Sequence, residues 1–205
     1  MLHLATVEPD TLGLLRKLMT LPYMDRFFLV GGTALSLQMG HRKSIDLDFF
    51  CLEDFNKEDL LLKLQKDFEI QVDVISPSLF LTRIDDIKVD FVRFRYELQY
   101  PMFEVEGIRM ANVKDIAPMK LDAVTKRGSK KDFFDIYYLL QHQTLQELLD
   151  LYDSKYKLST LFHVIKSLTY FDDAEEDLDP FIFDKAVTWS KVKKHIQIKV
   201  SKLYA

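Results

Sequence analysis

Between an apolar run, RFFLV (26–30), and a helix-prone stretch, TALSLQM (33–39), the chain carries two adjacent glycines, Gly31 and Gly32. The first run has the aromatic and β-branched character of a short buried strand, and the second has the propensity of a short helix terminated by Gly40. A strand that feeds a helix through paired glycines restricts the local fold severely. It gathers backbone N–H groups at one open place, where no Cβ blocks an anion and the helix dipole attracts one. The following SIDLDFF (44–50) alternates like a second strand. Ser44, Asp46, Asp48 and Phe50 then share one face, while Ile45, Leu47 and Phe49 share the other and are expected to fill the core. Two carboxylates about 7 Å apart along one strand face are costly between phenylalanines unless a positive charge joins them. Magnesium bound together with a phosphate is the simplest such cation, with manganese as an alternative. A strand with one solvated face is the plainer reading.

The remaining patterns place these segments in a larger plan. DTLGLLRKLMT (10–20) has the spacing of an amphipathic helix capped by Asp10 or Thr11, and NKEDLLLKLQKDF (56–68) that of a helix capped by Asn56. Three strand patterns follow, EIQVDVIS (69–76), LFLTRI (79–84) and IKVDFVRF (87–94), with Asp85-Asp86 as a tight turn between the last two. FEVEGIRMA (103–111) reads as a further strand or edge segment. After Asn112 the pattern becomes helical: NVKDIAPMKLDAVTKRG, SKKDFFDIYYLLQ with Ser129 as its cap, TLQELLDLYDSKY (144–156), STLFHVIKSLTYF (159–171) and TWSKVKKHIQIKVSKLY (188–204). The expected class is α+β, a mixed β-sheet with flanking helices over 1–111 followed by a helical lobe over 112–205.

Asp73 and Asp90 both interrupt apolar strand patterns, where aspartate is disfavoured. Either could add a third carboxylate, completing a site for two metals. Asp90 is the better choice, because the turn at Asp85-Asp86 returns its strand to the sheet and Lys88, Arg93 and Arg95 bring positive charge; Asp73 stays a competitor. His41, Arg42 and Lys43 lie between the first helix after the glycines and the aspartate strand, a place to meet phosphates or a polynucleotide.

Composition sets the outer bounds. A formal net charge of −4 argues against a protein that coats nucleic acid by charge alone. No apolar run reaches the ~18 residues of a membrane helix, and the first residues lack the blocks of a signal peptide, so a cytoplasmic protein without membrane partners is expected. The single cysteine, Cys51, excludes an internal disulfide framework and should pack as a small hydrophobe.

Gly31-Gly32-Thr33 followed by Asp46-Leu47-Asp48 resembles the signature of the DNA polymerase β-like nucleotidyltransferase superfamily. VGGTALSLQMGHRKSIDLDFF, with PMKLDAVTKRGSKKDFFDIYYLL much later, is similar to the AbiEii/AbiGii toxin family of nucleotidyltransferases, which occurs in bacterial toxin–antitoxin and phage-defence operons. The resemblance implies a nucleotidyltransferase-fold core over 1–111 and a lobe over 112–205 that completes the active-site cleft. It also implies magnesium-dependent transfer of a nucleoside monophosphate from an NTP to an acceptor, with release of pyrophosphate. Gly31, Gly32 and Thr33 would hold the triphosphate; by their place in the chain Arg42 could meet the same phosphates and Ser44 could either donate its hydroxyl there or merely start the strand. Asp46 and Asp48 would bind the metal, Asp90 would match the third acidic position, and Lys120 would contact nucleotide phosphate. Asp132 and Asp135 match the family's Lys/Arg-Asp-x-x-Asp helix motif. Implied partners are the NTP, tRNA or another RNA as acceptor, and a winged-helix antitoxin from a neighbouring gene; a protein or small-molecule acceptor is equally compatible with the motifs.

The downstream residues also have plain readings. Pro118 is placed to start a helix, which would put Lys120 in a first turn where a cation opposes the dipole unless phosphate is bound; otherwise it is a surface lysine beside Asp122. Asp132 completes a capping-box-like pattern with Ser129, and Asp135 lies four residues after Lys131, the spacing of a surface pair. A nucleotidyltransferase fold that serves only as a nucleotide- or partner-binding module is the alternative to an enzyme.

Overall fold

The computed structural model describes residues 1–157 and 160–204, in two compact units, Met1–Asn112 and Val113–Ala205. The first unit is built on a mixed sheet whose order departs from chain order. Its strands are β1 (Phe28–Val30), β2 (Leu47–Cys51), β3 (Ile70–Ile75), β4 (Leu79–Ile84), β5 (Ile87–Arg93), β6 (Phe103–Val105) and β7 (Ile108–Met110), arranged β3-β4-β5-β2-β1-β7-β6. β2 sits between antiparallel β1 and parallel β5, so the segment after the glycines occupies the middle of the sheet. Its alternate residues Leu47, Phe49 and Cys51 are fully buried, as are Val89 and Phe91 of β5. Phe49 and Phe80 stack on Phe91, and Phe27 meets it edge-on, giving the sheet an aromatic core.

The helices α1 (Pro9–Met19), α2 (Gly31–Met39) and α3 (Lys57–Leu64) complete this unit. Asn56 caps α3 by accepting from the Asp59 N–H at 2.7 Å, as its sequence pattern predicts. α1 begins one residue earlier than expected: Glu8 is its cap position and Pro9 its first residue, without a side-chain cap from Asp10 or Thr11. Proline supplies the entry instead, because its fixed φ suits a first turn and its missing N–H is not needed there.

Two further expectations need correction. FEVEGIRMA is not one strand but the β6–β7 hairpin, turned by Glu106 (φ 54°) and Gly107 (φ 75°), and β7 runs parallel to β1. The two positive φ values are those a two-residue hairpin requires, and Glu-Gly is a weak signal for them. The turn at Asp85 (φ 49°) and Asp86 (φ 66°) has the same geometry and was expected. The strand after Lys43 is also shorter than SIDLDFF: β2 starts at Leu47, Asp46 precedes it, and Ile45 is exposed rather than in the core. Ser44 instead forms an isolated bridge with Val7, which pulls this segment out of the sheet register.

The second unit is helical, with α4 (Val113–Lys126), α5 (Lys130–Leu139), α6 (Leu145–Tyr156), α7 (Phe162–Ser167) and α8 (Trp189–Ser201). α4 starts well before Pro118, which lies inside it, so Lys120 is not in a first turn. The helix expected over 159–171 covers only Phe162–Ser167, and its first residue, Ser159, lies outside the described residues. Trp189 packs against Phe133, Phe134 and Phe171, joining the start of α8 to α5. Thr144 and Glu147 form a full capping box on α6.

Inside this apolar packing α4 and α6 share a buried ion pair, Lys155 Nζ to Asp115 Oδ1 at 2.7 Å, with both side chains fully excluded from solvent. Removing one partner strands the other charge. Lys155→Met should therefore destabilise this unit by about 3–5 kcal/mol, whereas adding Asp115→Leu should recover most of the loss. Urea unfolding followed through the fluorescence of Trp189, the one tryptophan, measures both changes.

Candidate active site

At the entrance to α2 the backbone of Gly31 adopts φ 69°, a left-handed value that L side chains rarely take. Space is restricted as well as φ. A Cβ on Gly31 would lie 1.9 Å from Asp48 Oδ2, and one on Gly32 would lie 2.3 Å from an Arg42 guanidinium nitrogen. The paired glycines thus let a carboxylate and a guanidinium close directly on the start of a helix that has no side-chain cap. The first N–H groups of a helix lack intrahelical partners, so this end can receive an anion.

Thr33, fully buried, ties the helix to the following loop: its hydroxyl lies 2.9 Å from Ser44 Oγ and also donates to the Asp46 carbonyl oxygen. Ser44 is held in turn by its N–H to the Thr6 carbonyl at 2.9 Å, and Arg42, almost fully buried, donates to the Lys43 carbonyl at 2.9 Å. Thr33, Arg42 and Ser44 are thus packed around Gly32, within the frame of the site.

The register of the central strands brings two expected carboxylates together. Asp48 pairs with Val30 on one side and with Asp90 on the other. Strand neighbours in register project to the same face, opposite the buried Leu47, Phe49, Val89 and Phe91. Asp73 does not join this register pair: it sits at the bulge of β3, an edge strand, 3.8 Å from Arg83, although its charge adds to the upward push on Asp90. Lys88, two residues before Asp90 on the same strand face, places its ammonium 3.2 Å from Asp90 Oδ2. Burial drives the Asp90 carboxyl above the ordinary range, Lys88 pulls it down, and Asp46 pushes it up again; the net result is upward.

No three His, Cys, Asp or Glu side chains among the described residues are gathered closely enough to hold a metal by themselves. Magnesium is often held by one or two carboxylates, with waters and substrate phosphates supplying the other oxygens. Asp48 and Asp90 fit that requirement. Asp90 Oδ1 is buried without a hydrogen-bond partner, the condition of an oxygen that a cation or proton would satisfy.

Lys120, Asp132 and Asp135 form a separate cluster within the second unit. Lys120 Nζ lies 2.7 Å from Asp135 Oδ2 and 3.3 Å from Asp132 Oδ1, and both carboxylates are fully buried. Asp135 is therefore no surface partner of Lys131; α5 turns it inward from α5 onto α4. Arg127 grips Asp132 with two hydrogen bonds, at 2.8 and 3.0 Å, and Ser129 Oγ donates to it at 2.7 Å. Ser129 thus binds the carboxylate rather than capping the helix. Burial alone would raise the Asp132 carboxyl, but Lys120 and Arg127 outweigh it and hold the group below the ordinary range. The role of Arg127 was not readable in advance, because its contact crosses Gly128 (φ 54°) and has no helical spacing.

Residues 13–102 match the family model described as nucleotidyl transferase AbiEii toxin, type IV TA system. An uncharacterized protein of Aquifex aeolicus (strain VF5), aq_aa25, is 35% identical over 196 residues, covering 91% of this chain and 92% of its own. Among solved structures, a candidate nucleotidyltransferase from H. pylori is similar with a TM-score of 0.60 at 21% identity, over 96% of this chain and 97% of that one. MenT4, a nucleotidyltransferase toxin from Mycobacterium tuberculosis H37Rv, gives 0.54 at 16% identity, over 95% and 86%. At such identities the structural likeness is one of fold: the mixed sheet with flanking helices is the nucleotidyltransferase fold.

Two outcomes follow from the packing. Gly31→Ala should cost on the order of 1–2 kcal/mol through its left-handed backbone alone, and more through displacement of Asp48. Gly32→Ala should cost less, since the end of the Arg42 side chain can shift; thermal unfolding of both variants ranks them. The depressed carboxyl of Asp132 stabilises the fold above the unfolded carboxylate range of about 3.9 and loses that effect as pH falls through its lower folded value. The stability gap between the parent and Asp132→Asn should therefore be widest near neutrality and narrow below pH of about 4, as read by urea unfolding across pH.

Proposed function

We propose, from the premise that the chain belongs to the AbiEii nucleotidyltransferase toxin family, that it transfers a nucleoside monophosphate from an NTP to an RNA acceptor, tRNA first among them. The observation that carries this reading is the Asp48–Asp90 register pair beside the glycine-opened start of α2. Carboxylates and anion-attracting N–H groups are useful so close together only if a ligand brings both a cation and phosphates.

In this reaction Gly31 and Gly32 admit the triphosphate to the helix N-terminus, and Thr33, Arg42 and Ser44 hold that backbone in place. Asp48 and Asp90, with Asp46 at the mouth of β2, would hold the magnesium or manganese, which would supply positive charge to screen the phosphates and make the acceptor hydroxyl more acidic. Asp90 takes the hydroxyl proton, a role suited to a carboxyl raised by burial. The acceptor oxygen then forms a bond to the α-phosphorus as pyrophosphate departs. Lys120, Asp132 and Asp135 enter the catalytic set through the family motif alone. In their observed pairing they hold α4 against α5, and a direct contact from Lys120 to phosphate requires its ammonium to leave two buried carboxylates.

A toxin role implies growth arrest on expression and relief by a partner, for which a winged-helix antitoxin from an adjacent gene is proposed. The second reading, a binding module without catalysis, retains NTP binding but no transfer.

Incubation with each labelled NTP, total tRNA and magnesium should label RNA, and Asp46→Ala or Asp48→Ala should abolish it, a loss of at least about a hundredfold. Lys120→Met should lower transfer as well. NTP binding with no labelled acceptor of any kind would favour the binding module, and label transfer that survives Asp48→Ala would overturn the site.

A further inference from the structure

Lys88 and Asp90 flank the buried Val89, so their side chains leave β5 on the face that also carries Asp48. The Lys88 ammonium is 3.2 Å from Asp90 Oδ2 and feels the charges of Asp46 and Asp48 as well as Asp90. One tethered cation is therefore paired with Asp90 on the strand face that also carries Asp48. Its side chain is 43% exposed whereas that of Asp90 is 13% exposed. A flexible lysine stem so placed can swing its ammonium into water, an exit closed to a buried cation. The carboxylate it leaves cannot follow, and already has one buried oxygen, Oδ1, without a hydrogen-bond partner.

An ammonium and a divalent ion a few ångströms apart repel each other, and both are drawn to the same carboxylate. We propose that Lys88 is a built-in counter-ion of the active site, seated on Asp90 until a divalent metal displaces it, so that lysine and metal exclude one another there. The proposal rests on the assignment of Asp48 and Asp90 as metal ligands. It makes Lys88 a positioning residue: it supplies a positive charge beside Asp90 in the metal-free protein, and it lowers the affinity of the free protein for metal.

Manganese binding to the full chain without nucleotide, read from the electron paramagnetic resonance signal of free Mn²⁺, tests this directly. Lys88→Met keeps the stem and removes the charge, and should bind Mn²⁺ about tenfold more tightly than the parent, the effect of deleting one unit charge near a dication in high dielectric. Lys88→Arg keeps a cation and should stay near the parent value. Adding Asp48→Asn to Lys88→Met should cancel the gain. Mn²⁺ bound by the parent and no more tightly by Lys88→Met would overturn the role of Lys88 while leaving the metal assignment standing. Binding by neither protein would overturn the metal assignment, and this proposal with it.

Discussion

The parallel pairing of β2 with β5 is the constraint on which the rest of the first unit depends. It sets Asp48 beside Asp90, and the antiparallel pairing of the same strand with β1 sets Asp48 opposite Val30, the residue before the glycines. A slip of one residue in either register would turn the carboxylates into the aromatic core and Phe49 out of it. The packing of Phe27, Phe49 and Phe80 around Phe91 therefore does more than stabilise the sheet. It fixes which face the aspartates occupy, so the core specifies the site.

Much of this arrangement was legible in the sequence, and the parts that were not share a physical cause. Alternation marked Leu47 and Phe49 as core and Asp48 as outward, and the apolar setting of Asp90 marked it as anomalous. Both signals are local and survive into the fold. The exposure of Ile45 was not legible, because the Val7–Ser44 bridge that ends the strand joins residues far apart in the chain. Lys120 was misplaced for a related reason: proline usually starts helices, but the buried Ile116 and Ala117 extend α4 ahead of it. Its long-range pairing, and that of Lys155 with Asp115, follow from helix packing that no spacing rule encodes.

The paired glycines show how local strain and close approach combine. Gly31 is required twice over, by its φ and by the carboxylate that lies where its Cβ would be, whereas Gly32 answers to space only, taken by the Arg42 guanidinium and more loosely by Ser44 Oγ. Opposite charges are thereby pressed onto the first turn of one helix. The sheet behind it holds this arrangement in place, and on the proposed function it serves a ligand rather than packing.

The two units treat buried charge in opposite ways, and the contrast separates framework from chemistry. In the second unit Lys120 is 6% exposed between carboxylates with no exposure at all, and Arg127 and Ser129 fill the remaining acceptor positions of Asp132. Opening that cluster would strand ions in a low dielectric, so it behaves as a fixed brace between helices. In the first unit Asp90 keeps one unsatisfied oxygen, and its lysine partner is half in water. Water reaches the lysine end of this pair far more than the carboxylate end, so on the proposed reading the cation can be exchanged without opening the fold. Satisfaction and burial, more than the presence of acidic residues, therefore distinguish the carboxylates that hold helices together from those the proposed reaction uses.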